Sequence, residues 1–97
     1  MDKKYRILLV DDDPDFITAT RIVLESQSYE VIVANDGNAG VETARREMPD
    51  LILLDVIMPV RDGFSTAEVI KADPQLKQIP VVMLTSFGSA GQQTNIP

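Results

Sequence analysis

The 97-residue chain contains neither cysteine nor histidine. The first absence excludes disulfides, thiol nucleophiles and cysteine metal sites. The second means that any imidazole base or phosphohistidine in its chemistry must be supplied by another molecule. No apolar run approaches the ~18 residues of a membrane span, and the opening MDKKYR leads into a strand rather than a signal peptide. A cytoplasmic protein is expected. Basic residues are also in short supply, nine against fifteen acids, for a net charge of -6. Phosphate backbones are bound by clustered Lys and Arg, so direct contact with nucleic acid is disfavoured. A cation or a basic protein surface suits the balance better. What is abundant is apolar: hydrophobic residues make up 44 % of the chain, enough for the core of one small domain and too little chain for two.

The organising stretch is Asp50 to Gly63, DLILLDVIMPVRDG. Leu51 to Leu54 is apolar on both faces, which places it in the middle of a parallel sheet with helices on either side. Asp55 then stands at the carboxyl end of that strand, the edge where ligands bind in open α/β sheets. An earlier run of the same shape, Ile7 to Val10, breaks into Asp11, Asp12 and Asp13. If the two strands are neighbours, their acids meet on one edge.

Taken in order, Tyr5 to Val10 is the first expected strand. Asp13 is a candidate N-cap with Pro14 at the first helical position. Phe16, Ala19, Ile22, Val23 and Ser26 or Gln27 follow helical spacing, with Arg21 and Glu25 opposite. Tyr29 to Ala34 is the second strand, closed by the turn signal Asn35-Asp36-Gly37. Val41, Ala44 and Met48 mark the inner face of a second helix, with Glu42, Arg45, Arg46 and Glu47 outward and Pro49 as its stop. After the strand Leu51 to Leu54 and the loop Met58 to Asp62, Asp62 can cap a third helix that carries Phe64, Ala67 and Ile70 on one face. Asp73-Pro74 ends it, and Pro80 introduces a fourth strand, Val81 to Thr85. The pattern is βαβαβαβ, whose right-handed crossovers make a parallel sheet covered on both faces. From Gln78 to Pro97 there is no charged residue, and Gly88 to Pro97 has no periodicity, so residues 1–87 read as the domain and 88–97 as an uncharged tail.

Converging carboxylates at Asp11, Asp12 and Asp55 are not a stabilising device, because a pair about 5 Å apart repels by roughly 3 kcal/mol at an effective dielectric of about 20. A divalent cation offsets this. Oxygen-only ligands with room for water favour Mg²⁺ over zinc or copper. Beside such an ion a carboxylate can attack phosphorus in line. Thr85 could donate its hydroxyl to a phosphoryl oxygen. For Asp13, Asp36 and Asp62, turn forming or helix capping is the sufficient explanation.

VDDDP after the first strand, LLDVIMPVRDG around the third and MLTS at the end of the fourth resemble the receiver domain of bacterial two-component response regulators. The likeness covers residues 5 to about 87 in order and spacing, and its D-x-x-M-P-x-x-D-G loop is highly specific. It implies a flavodoxin-like doubly wound sheet of order 2-1-3-4-5, an order that general accounts of the fold illustrate with a member of this family. It further implies that Asp55 accepts a phosphoryl group from a sensor histidine kinase or phosphotransfer protein, and that the domain acts as a switch rather than an enzyme. Asp11 and Asp12 become the acidic pair for Mg²⁺, with Asp12, Asp55 and the Ile57 carbonyl as direct ligands. Thr85 becomes the switch hydroxyl, Met58 and Pro59 shape the loop, and Gly63 lets the third helix begin close by.

The chain departs from that pattern after the fourth strand. The family's fifth strand, its essential lysine and its last helix have no counterpart, since the last lysine is Lys77. The sheet is therefore expected to stop at order 2-1-3-4, with Val81 to Thr85 an apolar edge and part of the first helix uncovered. Self-association through that edge or the C-terminal segment is expected, and weakened phosphorylation with it. Two other readings compete. In one, the chain is a non-catalytic receiver fragment that oligomerises. In the other, Asp11 and Asp13 are the nucleophile and general acid of a haloacid-dehalogenase-type phosphatase, a reading that Pro14 fits poorly and that lacks its downstream lysine and acidic motif.

Overall fold

The structure is a computed structural model, and it describes residues 4–55 and 63–84. Seven elements alternate along the chain: β1 (Arg6–Val10), α1 (Pro14–Ser26), β2 (Glu30–Ala34), α2 (Gly37–Glu47), β3 (Leu51–Asp55), α3 (Gly63–Ala72) and β4 (Val81–Leu84). The four strands are parallel, as their alternation with crossover helices leads one to expect, and lie in the order β2-β1-β3-β4. The register sets Leu9 between Val33 and Leu53, and Leu53 beside Val82.

Period-2 alternation divides the sheet into two layers. Leu8, Val10, Ala34, Ile52 and Leu54 point to the side of α2 and α3, where they form the main core with Val41, Ala44, Ile70 and Leu76. The other face presents Ile7, Leu9, Leu51 and Leu53, with α1 over part of it. The approach of α2 to β1 is close: a Cβ at Gly40 would lie 3.0 Å from both γ-carbons of Val10. Polar ties hold the amino edge of the sheet. Arg6 donates from its backbone to Asp50 Oδ2 (2.8 Å), and from its guanidinium to the Glu47 carbonyl (2.7 Å), one of the orphan acceptors at the end of α2. Arg45 reaches from α2 to Asp73 beyond α3, at 2.9 Å.

Helix starts agree with the sequence reading. Asp13 caps α1, accepting from the backbone N–H of Asp15 and Phe16 at 3.0 and 3.4 Å, with Pro14 in the first turn. Asp36 proves to be a cap rather than only a turn residue, because its Oδ1 accepts from Ala39 N–H at 2.8 Å and opens α2.

Buried faces agree less well. In α1 the sheet selects Ile17, Thr20 and Leu24, leaving Ile22 and Val23 more than 60 % exposed. Met48 does not face the core: it is the C-cap of α2 in the left-handed region, φ 46°, and half-exposed. In α3 the inner face is Gly63, Thr66 and Ile70, and Phe64 lies outside it. Leu76, which no periodicity marks, is fully buried in the core.

Candidate functional site

Because β1 and β3 are adjacent and parallel, both end at the same edge of the sheet. Asp11 continues the β1 ladder by one bond, from its N–H to the Ala34 carbonyl at 3.1 Å. Its side chain is completely buried. Oδ1 accepts from Asp13 N–H at 2.9 Å, tightening the turn into α1. Oδ2 is buried and has no hydrogen-bond partner among the described residues. Burial pushes the Asp11 carboxyl above its ordinary value. The Asp13 N–H bond works against that shift, and the neighbouring Asp12 charge adds to it.

Asp55 is the last residue of β3 and is 2 % exposed. Asp12, one residue past Asp11, stands in solvent at the mouth of the site. One carboxylate oxygen from each of Asp11, Asp12 and Asp55 lies within 4.8 Å of the others. The structure thus brings together the three acids singled out from sequence, and among the described residues no other cluster of three potential ligands occurs. Ile57 and Thr85 lie outside the described residues, as do Met58, Pro59 and Asp62. Gly63 is the buried first residue of α3. Asp13 and Asp36 serve as helix caps and take no part in the cluster.

Three carboxylates this close, two of them buried, favour a hard dication in both charge and donor type. The unpartnered Asp11 Oδ2 is the observation that fits such an ion, since a buried anionic oxygen with no donor costs several kcal/mol unless a cation or a proton meets it.

The sequence model of the response regulator receiver domain matches residues 7–95, and the chain belongs to that family. It is 41 % identical over 88 residues to the response regulator PleD of Caulobacter vibrioides, an alignment that spans 91 % of this chain and 19 % of PleD. Among solved structures, the N-terminal domain of a response regulator receiver protein from Methanoculleus marisnigri superimposes with a TM-score of 0.84 at 39 % identity, covering 96 % of this chain and 76 % of that one. The receiver domain of the sensor histidine kinase PA1611 from Pseudomonas aeruginosa gives 0.83 at 34 % identity, covering 95 % and 75 %, and carries a magnesium ion coordinated in its active-site cleft. The fold is therefore the flavodoxin-like receiver fold. Among the described residues no helix is long and apolar enough to cross a membrane.

Proposed function

We propose that this receiver domain takes a phosphoryl group onto Asp55 from the phosphohistidine of a sensor kinase or phosphotransfer protein. The observation that carries this reading is the grouping of one carboxylate oxygen from each of Asp11, Asp12 and Asp55 within 4.8 Å, together with a buried oxygen of Asp11 that has no hydrogen-bond partner among the described residues. Asp55 is the acceptor because it ends β3, the strand between β1 and β4, with its own backbone in register with Leu84, and its carboxylate meets both other acids. A carboxylate oxygen of Asp55 attacks phosphorus in line; the new O–P bond forms as the P–N bond to the partner's imidazole breaks, and the imidazole leaves with its electron pair and takes up a proton. Fixing the nucleophile on a strand end gives the attack its orientation.

Asp11, Asp12 and Asp55, with the Ile57 carbonyl, would hold Mg²⁺, which supplies the positive charge that offsets the three carboxylates and the phosphoryl oxygens. Asp11 contributes a carboxylate with one oxygen pinned to Asp13 N–H and the other buried without a hydrogen-bond partner among the described residues. Thr85 is assigned the switch hydroxyl that reports phosphorylation to the surface.

The test is labelling with a small phosphodonor and Mg²⁺. Asp55→Asn should abolish uptake, and Asp12→Asn should weaken Mg²⁺ binding followed by NMR. Label that survives in Asp55→Asn and disappears in Asp11→Asn would instead assign the nucleophile to Asp11, as a haloacid-dehalogenase-type phosphatase requires. No response of the backbone amides around Asp11 and Asp55 to Mg²⁺ would leave a non-catalytic receiver fragment.

A further inference from the structure

Asp11 is held by its main chain and by its side chain separately. The main chain belongs to the sheet, where Asp11 N–H donates to the Ala34 carbonyl at 3.1 Å, so the residue cannot shift without breaking the ladder. The ladder does not aim the carboxylate, whose orientation is decided by the side-chain dihedrals. Asp13 N–H does so, donating to Oδ1 at 2.9 Å. It is the stronger of the two backbone donors that hold the carboxyl pKa down against burial, Asp12 N–H being the weaker.

Asp13 can serve as that donor because its other polar atoms are anchored to α1. Its Oδ1 accepts from Asp15 and Phe16 N–H, at 3.0 and 3.4 Å. Its carbonyl accepts the first helical bond, from Ile17 N–H at 3.0 Å. Pro14 adds a covalent restraint, since the residue before a proline is kept out of helical backbone, and Asp13 stands at φ -96° and ψ 110°. With both angles set, the direction of its N–H relative to the helix is set as well. A continuous path of bonds therefore runs from the first amides of α1, through the side chain and main chain of Asp13, to the buried acid.

A helix cap needs only the side-chain oxygen and the carbonyl. Here the amide of the capping residue is engaged too, and by a member of the acidic cluster. Asp13 is itself exposed, and the cluster consists of Asp11, Asp12 and Asp55. Asp13 therefore acts through Asp11 rather than on an ion.

We propose that Asp13 is a positioning residue of the acidic site: by capping α1 it holds its backbone N–H against Asp11 Oδ1 and so aims the Asp11 carboxylate for the dication. The proposal rests on the reading of Asp11, Asp12 and Asp55 as a Mg²⁺ site, and adds that the ion and the first turn of α1 share one equilibrium. Fraying the turn lowers the affinity for the ion. Binding the ion steadies the turn by the same factor, because such coupling is reciprocal. A cap of this kind shifts an equilibrium about fivefold, and about thirtyfold at most, which bounds the coupling.

The test is Mg²⁺ titration followed by backbone-amide NMR. Asp13→Ala removes the cap and should weaken Mg²⁺ binding about fivefold. Asp13→Ser and Asp13→Asn keep a capping oxygen without the charge, and should stay within about twofold of the parent because the exposed charge of Asp13 is screened. Parent-like binding by Asp13→Ala would overturn the proposal. So would equal losses in all three variants, which would assign the effect to the charge of Asp13 rather than to its cap. One measurement on the parent alone holds even if Asp13→Ala folds poorly. Saturating Mg²⁺ should slow hydrogen exchange at the Phe16 and Ile17 amides about fivefold relative to Ala39, whose N–H is capped by Asp36 at 2.8 Å on a different helix. Unchanged relative exchange would overturn the proposal. A parent that does not respond to Mg²⁺ at all would remove the metal-site reading and this inference together, whereas parent-like titration of Asp13→Ala removes this inference alone.

Discussion

Removing the charge of Asp11 should make the metal-free protein more stable. Asp11→Asn preserves Oδ1, and with it the 2.9 Å bond from Asp13 N–H. It replaces the buried, unpartnered Oδ2 with an amide that can donate to the neighbouring carboxylates. At the 4.8 Å limit of the cluster, each pair of charges repels by about 3 kcal/mol at an effective dielectric of about 20. The contribution of Asp12 is much smaller because water screens its exposed carboxylate. After that discount, and allowing for some loss of packing fit, a net gain of about 1–3 kcal/mol is expected. For a domain of this size that is an upward Tm shift of about 5–15 °C. The sign of the pH dependence agrees. Burial raises the Asp11 pKa, so the folded chain holds this proton more tightly than the unfolded one. Ionisation of Asp11 therefore costs stability as pH rises from the ordinary carboxylate value of about 3.9 through the raised folded value. The variant should lack that cost. The assay is urea or thermal unfolding in EDTA and again in excess Mg²⁺. The parent gains about 2.7 kcal/mol when Mg²⁺ is about a hundredfold above its dissociation constant, and the variant gains much less, so the order of stability narrows or reverses with metal. A variant less stable than the parent in EDTA would refute the argument that the acids repel in the folded state.

Gly40→Ala should cost about 1 kcal/mol, because contacts of 3.0 Å with both methyls of the buried Val10 outweigh the better helix propensity of alanine; combined with Val10→Ala, the two losses should be less than additive in urea unfolding. Leu76→Ala should cost about 2–5 kcal/mol in the same assay, as for a fully buried leucine. Asp13→Ala should cost about 1 kcal/mol by uncapping α1. The backbone N–H of Gln75 and then the Arg45 guanidinium hold the Asp73 carboxyl below its usual range. Its contribution to stability is therefore present above the unfolded value of about 3.9 and lost as pH falls through the lower folded value; Asp73→Asn should flatten the acid limb of the Tm profile.

What could be read without coordinates was whatever depends on strand character and chain order. Ile7 to Val10 and Leu51 to Leu54 are apolar at every position, so both had to be strands covered on two faces, and the acids that follow had to leave the sheet at its carboxyl edge. The helix faces were harder, for a physical reason. In α1 two stripes have helical spacing, Ile17–Thr20–Leu24 and Phe16–Ala19–Val23, and only docking on the sheet decides between them. Leu76 was invisible because it is held by an irregular turn: the Asp73 carbonyl accepts from Leu76 and Lys77 N–H, and Asp73 Oδ1 accepts from Gln75 N–H. No period runs through such a turn.

The site itself depends on one feature of the topology. Local sequence can place an acid at the end of a strand, but it cannot say which strand ends are neighbours. With β1 beside β3, the carboxylates of Asp11, Asp12 and Asp55 come within 4.8 Å. With a single strand interposed, the two strand ends would stand about 9.6 Å apart, at twice the interstrand spacing, too far for their short side chains to share an ion comfortably. The crossover from β2 through α2 to β3 passes over β1 and sets β3 down on its far side, which the right-handed rule for such crossovers permits when α2 lies on the face opposite α1. The same crossover that divides the helices between the two faces of the sheet therefore also assembles the acidic cluster.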